Sequence, residues 1–297
     1  MRYVWKMRYV WPAIFLLSFA ALPAAAQDTN TRVDPTPPPD KSMYTLFNPT
    51  PDNQMRGFSA DRPAKAYSPI TVDAGHLQIE TDLFSYTHSN SDGISTRLYT
   101  TLDPVVKLGL TDRVDLELQF NGMNWSDSVR SGTNEPVSST HGAGDLLLRS
   151  KINIVGNEGG VALALIPYVK FPTASPGLGN GKYEGGLIAP LTIPLPLDFQ
   201  LAFQAEVDAL RNPANNGYMA NFTQIVNLSH PIGSKGTLYG EFYAAVPANA
   251  RASNIYTLDT AFSYLITDTI QWDIGANFGL NRAAPNVQAY TGLSARF

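Results

Sequence analysis

Residues 270–281 read IQWDIGANFGLN, with an apolar residue at every even position and Gln, Asp, Gly or Asn at every odd one. The same alternation runs through residues 199–209 and, in a shorter form, through residues 114–121. Successive side chains of a β-strand point to opposite faces, so a period of two predicts a strand with one apolar and one polar face.

About twelve such segments fill residues 71–297. They lie near 76–87, 96–110, 113–121, 143–155, 161–171, 186–196, 198–210, 217–229, 236–246, 254–266, 269–281 and 286–297. Most have 10 to 13 residues, which matches a tilted strand that crosses the hydrocarbon layer and is about twice the usual length in a soluble sandwich.

The connections between these segments alternate in length. Short turns alternate with mostly longer polar loops at 88–95, 122–142, 172–185, 211–216, 247–253 and 282–285. This alternation is typical of outer-membrane barrels. We therefore predict an all-β fold, a transmembrane antiparallel up-and-down β-barrel of the Gram-negative outer membrane with about twelve strands, ten or fourteen being the alternatives.

The amino-acid composition excludes several kinds of functional site. The chain has no Cys, which excludes disulfides and thiolate metal sites, and we expect no metal and no cofactor. Twenty-one Lys and Arg residues against 25 Asp and Glu residues give a net charge of −4, so the chain lacks the excess of basic residues that nucleic-acid binding requires.

The N-terminal part of the chain lacks the strand pattern. Residues 1–26 combine a basic start, an apolar run and Ala24-Ala25-Ala26, which predicts a signal peptide for Sec-type export. Residues 27–70 hold eight of the 22 prolines and no sustained periodicity. They are interpreted as a Pro-rich periplasmic segment or plug, and a tether or a disordered leader stays open. An even strand number places this segment and the C-terminus in the periplasm.

If the apolar faces meet lipid, charged residues on the opposite faces line the lumen. The candidates for the solute path are Glu80, Asp82, Arg97, Asp103, Lys107, Asp115, Glu117, Arg149, Lys151, Lys170, Glu206, Asp208, Glu241, Asp273 and Arg296. Acids and bases are mixed, so these residues form either a structural network or a constriction that selects solutes by charge and size.

Several short motifs resemble one family. They are Leu46 to Pro51, Asp61-Arg62-Pro63, Ser68 to Glu80, Gly142-Ala143-Gly144-Asp145 and Lys170-Phe171-Pro172-Thr173. In this order they resemble the family named for the MetA pathway of phenol degradation, whose members are outer-membrane barrels described as transporters. Ala64 stands where the family usually has an acid. The resemblance implies uptake of aromatic or other hydrophobic compounds.

The favoured function is therefore an outer-membrane channel for passive uptake of small solutes, aromatic or hydrophobic ones among them, through the lumen or the wall. The alternatives are a structural or adhesive surface barrel and, more remotely, a lipid-modifying enzyme built on the stretch Ser138-Ser139-Thr140-His141; we expect no enzyme. The expected partners are outer-membrane lipid, lipopolysaccharide, the solute and the barrel-assembly machinery. The terminal strand, which ends on Phe297, resembles the sorting signal that this machinery reads.

Overall fold

The computed structural model describes residues 40–249 and 252–297, which lie in one compact unit, Pro38–Phe297. The predicted signal peptide and residues 27–39 lie outside the described residues. Within the described part, no helix is long and apolar enough to cross a membrane. One short 3-10 helix spans Asp52–Gln54.

Fifteen strands form a single antiparallel sheet. They are β1 (Leu77–Ser91), β2 (Ile94–Thr101), β3 (Asp103–Thr111), β4 (Val114–Phe120), β5 (Met123–Arg130), β6 (Pro136–Ala143), β7 (Leu146–Val155), β8 (Ala162–Phe171), β9 (Glu184–Pro194), β10 (Gln200–Arg211), β11 (Tyr218–Ile232), β12 (Gly236–Pro247), β13 (Ile255–Thr267), β14 (Ile270–Gly279) and β15 (Val287–Arg296). Because β15 also pairs with β1, the sheet closes into a ring. The ring contains β1, β3, β4 and β7 to β15, and the prediction of a twelve-stranded barrel is confirmed.

The three remaining strands extend the wall beyond the ring. β2 pairs with the last residues of β1, β5 pairs with β2, and β6 pairs with β5. Along the chain, β2 adjoins the ring strand β3, β5 adjoins β4 and β6 adjoins β7, each across a break in regular pairing. At the break between β2 and β3, Leu102 has a left-handed backbone conformation with a φ of 52°. The prediction of a long loop at 122–142 is thus wrong, and so is most of the loop predicted at 88–95. Much of β5 and β6 is exposed and Ser- and Thr-rich, so backbone pairing forms without an apolar alternation.

Burial along the ring strands is the inverse of burial in a soluble protein. On β11, Asn221, Thr223 and Asn227 are buried, whereas Phe222 and Val226 are 48% and 42% exposed. The same division holds on the other ring strands, where buried side chains are mostly polar and exposed ones apolar. The apolar face therefore points to lipid and the polar face to the lumen.

Residues 40–76 are called here the luminal segment. Residues 42–53 are mostly exposed at the short-turn end, and residues 54–74, which are mostly buried or half-buried, occupy the lumen. The segment begins beside the β3–β4 turn, where the Leu46 amide donates to the carbonyl of Leu110 at 2.8 Å. Near its end the backbone crosses β3 at Gly109, and a Cβ at this position would lie 2.0 Å from the carbonyl oxygen of Asp73. Glycine at 109 therefore permits the closest approach of the segment to the wall.

Val226→Arg tests which face of the wall meets lipid. Val226 lies near the middle of β11, where an arginine facing hydrocarbon is expected to lower the free energy of unfolding by about 2–4 kcal/mol. The measurement is urea unfolding of protein refolded into lipid vesicles. Ser234→Arg, in the turn between β11 and β12, is the control and should change stability little. Equal effects of the two substitutions would contradict the assigned faces.

Candidate functional site: the charged lumen

The structure turns nearly all of the predicted lumen residues into the barrel. Nine are buried: Glu80, Lys107, Asp115, Glu117, Arg149, Lys151, Asp208, Glu241 and Asp273. Five are partly buried: Asp82, Asp103, Lys170, Glu206 and Arg296. The predicted pairs on neighbouring strands do face each other, since Asp115 is opposite Lys151 and Glu117 is opposite Arg149 in the β4–β7 register.

Arg97 is the exception and the prediction for it is wrong. It is exposed on β2, opposite Asp127 of β5, rather than turned into the lumen. The register of β1 shifts between Asp82 and Phe84, and the left-handed Leu102 separates β2 from β3. A one-residue shift moves every following side chain to the other face, which the sequence pattern across residues 96–110 does not reveal.

Asp61 of the luminal segment lies at the centre of the charge cluster. Its carboxylate contacts the ammonium groups of Lys107 and Lys151, the latter at 2.8 Å. Its backbone amide donates to Glu80, and Glu117 in turn contacts Lys151 at 3.4 Å. Burial opposes ionisation, but the two lysines hold the pKa of the Asp61 carboxyl well below its usual range. Asp61 is therefore a carboxylate at neutral pH and compensates cations of two wall strands.

Arg62 connects the luminal segment to another part of the wall. Its guanidinium forms a bidentate contact with Asp273 of β14, with distances of 2.6 and 3.1 Å, and also contacts Asp82 of β1. The adjacent carbonyl of Pro63 accepts a 2.8 Å hydrogen bond from the hydroxyl of Tyr290 on β15. Bidentate pairing with a carboxylate fixes both position and orientation, so Arg62 aligns the segment with strands β14, β15 and β1.

The residues that follow contact the next strands around the ring, from β13 to β10. Lys65 binds Asp259 of β13 at 2.7 Å, and the amides of Lys65 and Ala66 donate to Glu241 of β12. The amide of Tyr67 donates to Gln204 of β10 at 2.8 Å. Residues 61–67 thus form a crossbar that contacts the wall on several sides. Neither Lys65 nor Asp259 was among the predicted site residues, although Asp259 lies on the polar face of β13.

A second charge cluster closes the short-turn end of the barrel. Arg56 contacts Asp73 of the luminal segment at 3.2 Å, Glu158 of the β7–β8 turn at 2.9 Å, and Asp112 of the β3–β4 turn. The guanidinium of Arg296 on β15 donates to the carbonyl of Arg56 at 2.9 Å. This cluster holds the segment to two turns and to the last strand.

Two cavities lie inside the barrel and share the crossbar as a border. The larger, of about 550 Å³, reaches residues near the long-loop ends of β10 and β11, such as Leu210 and Asn221. The smaller, of about 360 Å³, extends to Gly159 and Lys235 near the short turns. Asp61, Arg62, Ala64 and Tyr67 line both cavities, so the crossbar separates the two halves of the lumen.

The two internal motifs meet at the break between β6 and β7. Lys170 bridges Asp145 at 3.0 Å and Glu184 at 2.7 Å, and Asp145 accepts the amide of Ala174 at 2.9 Å. The hydroxyl of Thr173 accepts the amide of Leu146. Further motif residues lie beside these contacts, namely Gly142, Gly144 and Pro172. The motifs therefore hold the 172–183 loop against the wall.

The last residue completes the ring. The amide of Phe297 donates to the carbonyl of Leu77 at 2.8 Å, and its own carbonyl accepts the Leu77 amide at 3.2 Å. The Phe297 side chain is 69% exposed. These contacts place Phe297 at the seam between the first and last strands.

The fold and the lumen define a transmembrane β-barrel of the outer-membrane type. The family model described as "Putative MetA-pathway of phenol degradation" matches residues 60–297, and the chain belongs to this family. The match begins just before the crossbar and includes the whole barrel.

Solved structures share the fold. The COG4313 outer membrane channel from Pseudomonas putida F1 is 14% identical, with a TM-score of 0.60 over 79% of this chain and 99% of that chain. The transport unit of the autotransporter AIDA-I from Escherichia coli is 10% identical, with a TM-score of 0.46 over 80% and 92% of the two chains. The NanC porin is 9% identical, with a TM-score of 0.45 over 74% and 98%. No curated protein sequence matches this chain significantly.

Asp273→Asn tests the anchor on Arg62. Asp273 is fully buried, and removing one partner of a buried ion pair leaves the other charge poorly compensated, at a cost of about 3–5 kcal/mol. Asp82 remains beside Arg62, so we expect a loss near the lower end, measured by urea unfolding in vesicles. Glu135→Gln breaks the exposed pair with Arg130 and should cost at most about 1 kcal/mol. A loss as small for Asp273→Asn as for this control would contradict the anchoring role.

Lys170→Met tests the contact between the two motifs. The variant loses the charge-assisted hydrogen bond to Asn180 of the loop at 3.0 Å and the ion pairs with Asp145 and Glu184 beside it. A hydrogen bond to a charged group is worth about 1.5–3 kcal/mol, so the loop should open at least about tenfold more often. Limited trypsin digestion is expected to cut after Lys182 correspondingly faster. Lys235→Met, in a turn at the opposite end, should leave that rate unchanged. A rate in Lys170→Met equal to wild type would show that the bridge does not hold the loop.

Proposed function

We propose that this protein is an outer-membrane channel for small solutes and that the crossbar, residues 61–67, closes it in the state described here. The observation that carries the proposal is the division of one lumen into two cavities by a segment that belongs to no wall strand. A cavity of about 550 Å³ next to the loops has no role in a purely structural barrel, whereas a channel needs such a space to admit its solute.

The wall of the larger cavity supports solutes with an apolar part. Val105, Leu147, Ile188, Leu210 and Ile225 line it, although their strand positions belong to the otherwise polar face. A site lined by aliphatic groups with a few polar ones is typical of small-molecule binding. The family's description, which refers to phenol degradation, agrees with aromatic compounds as solutes. Passage requires that the crossbar shift or that solute leave through the wall.

We further propose the topology expected from the sequence. Residues 1–26 direct Sec-type export, and the luminal segment enters from the periplasm at the short-turn end, where the C-terminus also lies. The long-loop end then faces lipopolysaccharide. The seam at Leu77 and Phe297 suits recognition of the last strand by the barrel-assembly machinery before the ring closes.

The alternatives gain no comparable support. Ser138 lies three residues from His141 on β6, so these two side chains point to opposite faces of the strand. Ser139 lies on the same face as His141, but its hydroxyl donates to Asp127 at 2.6 Å. The stretch therefore gives no support for a nucleophile–base pair. An adhesive barrel would need a long projecting loop. Residues 122–142, predicted as the longest loop, lie almost entirely in the β5–β6 hairpin, which extends the wall instead.

Arg62→Ala tests the closure. Loss of the contacts with Asp82 and Asp273 removes the anchor on one side of the barrel, so the crossbar should leave its position about tenfold more often or beyond. The measurement is single-channel conductance of the refolded full chain in planar bilayers. We expect brief, infrequent openings in wild type and a higher open probability in the variant.

Arg113→Ala is the matched control, because the Arg113 side chain is 60% exposed on the β3–β4 turn and its loss should not change the open probability. Silence of wild type and Arg62→Ala alike, in protein shown to be folded, would overturn the proposed channel closure.

A further inference from the structure

We propose that the larger luminal cavity binds an organic cation, a solute with one ammonium-type charge on a small apolar or aromatic body. The inference deepens the proposed function, since it names a solute class for the same lumen. It rests on a difference between the two kinds of charge in the cavity wall. The basic side chains are paired with carboxylates, whereas three of the carboxylates have no basic partner.

Every basic side chain that lines this cavity already has carboxylate partners. Lys107 contacts Asp61 and Glu80, and Arg149 contacts Glu117 at 3.1 Å. The remaining two were described above, Arg62 with Asp82 and Asp273, and Lys65 with Asp259. An anion entering the cavity would have to compete with these partners for each cation.

Three carboxylates of the cavity have no such compensation. They are Asp103 of β3 and the pair Glu206 and Asp208 of β10. Within the part of the chain that the structure describes, no Lys or Arg nitrogen lies within 4.0 Å of their oxygens. Their hydrogen-bond donors are neutral groups of the wall. The cavity therefore presents a surplus of negative charge.

The geometry of the acidic pair directs this charge into the cavity. Asp208 is 5% exposed and accepts the hydroxyl of Tyr168 at 2.8 Å and the amide nitrogen of Asn221 at 3.1 Å. Glu206 is two residues earlier on the same strand face, accepts a bond from the side-chain amide of Gln204 at 3.3 Å and interacts directly with the Asp208 carboxyl group. Glu206 thus retains acceptor capacity beside a fixed neighbour, as an ammonium donor requires.

The surroundings of the pair favour an organic cation over a metal ion. Tyr168 packs over Gly186, where a Cβ would lie 2.9 Å from its ring, and Ile188, Leu210 and Ile225 continue the wall. In the described residues, no group of three or more His, Asp or Glu side chains is arranged to hold a metal. Apolar and aromatic surface next to uncompensated carboxylates matches a charged group on an apolar body.

Binding of three small probes to the full-length protein in detergent tests the inference. The probes are 2-phenylethylammonium, the neutral 2-phenylethanol and the anion phenylacetate, and isothermal titration calorimetry gives each affinity. We expect wild type to bind the ammonium ion at least tenfold more tightly than the alcohol and to bind the anion most weakly. Equal affinity for the ammonium ion and the alcohol would overturn the inference.

A double variant, Glu206→Gln with Asp208→Asn, locates the site. It should lose at least tenfold in affinity for the ammonium ion and keep its affinity for the alcohol. Asp92→Asn with Glu135→Gln makes the same two changes at exposed turn positions and should bind like wild type. If the cavity double variant does not fold, Glu206→Gln alone serves, because Glu206 is only partly buried. Unchanged ammonium affinity in a folded cavity variant would refute the assigned site.

This binding experiment separates the inference from the proposed channel. Binding is measured at equilibrium in detergent and needs no passage through the membrane. The binding result can therefore be interpreted even if the conductance test fails. Conversely, a conducting barrel without ammonium preference would overturn the solute class and leave the channel intact.

Discussion

A barrel that turns its apolar side chains to lipid has mostly polar and charged side chains left for its interior. In this protein one short stretch of chain compensates several of the interior charges, since Asp61 faces two lysines and Arg62 faces two carboxylates. Burying such charges without partners would cost several kcal/mol each. The wall and the luminal segment therefore each supply the charges that allow the other's charges to be buried.

The order of charges along the segment explains its path. Asp61 binds the side of the wall where β3 and β7 carry lysines, Arg62 binds the side where β1 and β14 carry aspartates, and Lys65 binds β13. Charges of both signs within these few residues thus direct the chain across the lumen rather than along one strand. A segment of uniform charge could not cross such a mixed interior, which gives the short charged motif a physical role.

The sequence was sufficient for the barrel and insufficient for its irregular parts. Strict alternation, as in residues 270–281, predicts faces because a lipid-facing wall enforces a period of two. In the β5–β6 hairpin, where many side chains are exposed, nothing enforces alternation, and the sequence pattern predicts a loop instead. Arg97 was misplaced for a related reason, since a bulge in β1 and one left-handed residue change faces without changing composition. Lys65 sits in a non-periodic segment, where pattern alone identifies no partner.

The central claim is that residues 61–67 lie inside the barrel and divide it. Because the chain has no cysteine, Ala64→Cys places a single thiol on the crossbar, bordering both cavities. The most direct measurement is the reaction rate of this thiol with two reagents, a small methanethiosulfonate and a maleimide on a polymer of about 5 kDa. The polymer is too large to enter the lumen of a twelve-stranded barrel. The account predicts reaction with the small reagent in native protein and with the polymer only after unfolding. Native reaction with the polymer, at the rate shown by a cysteine at the exposed Ser234, would contradict it.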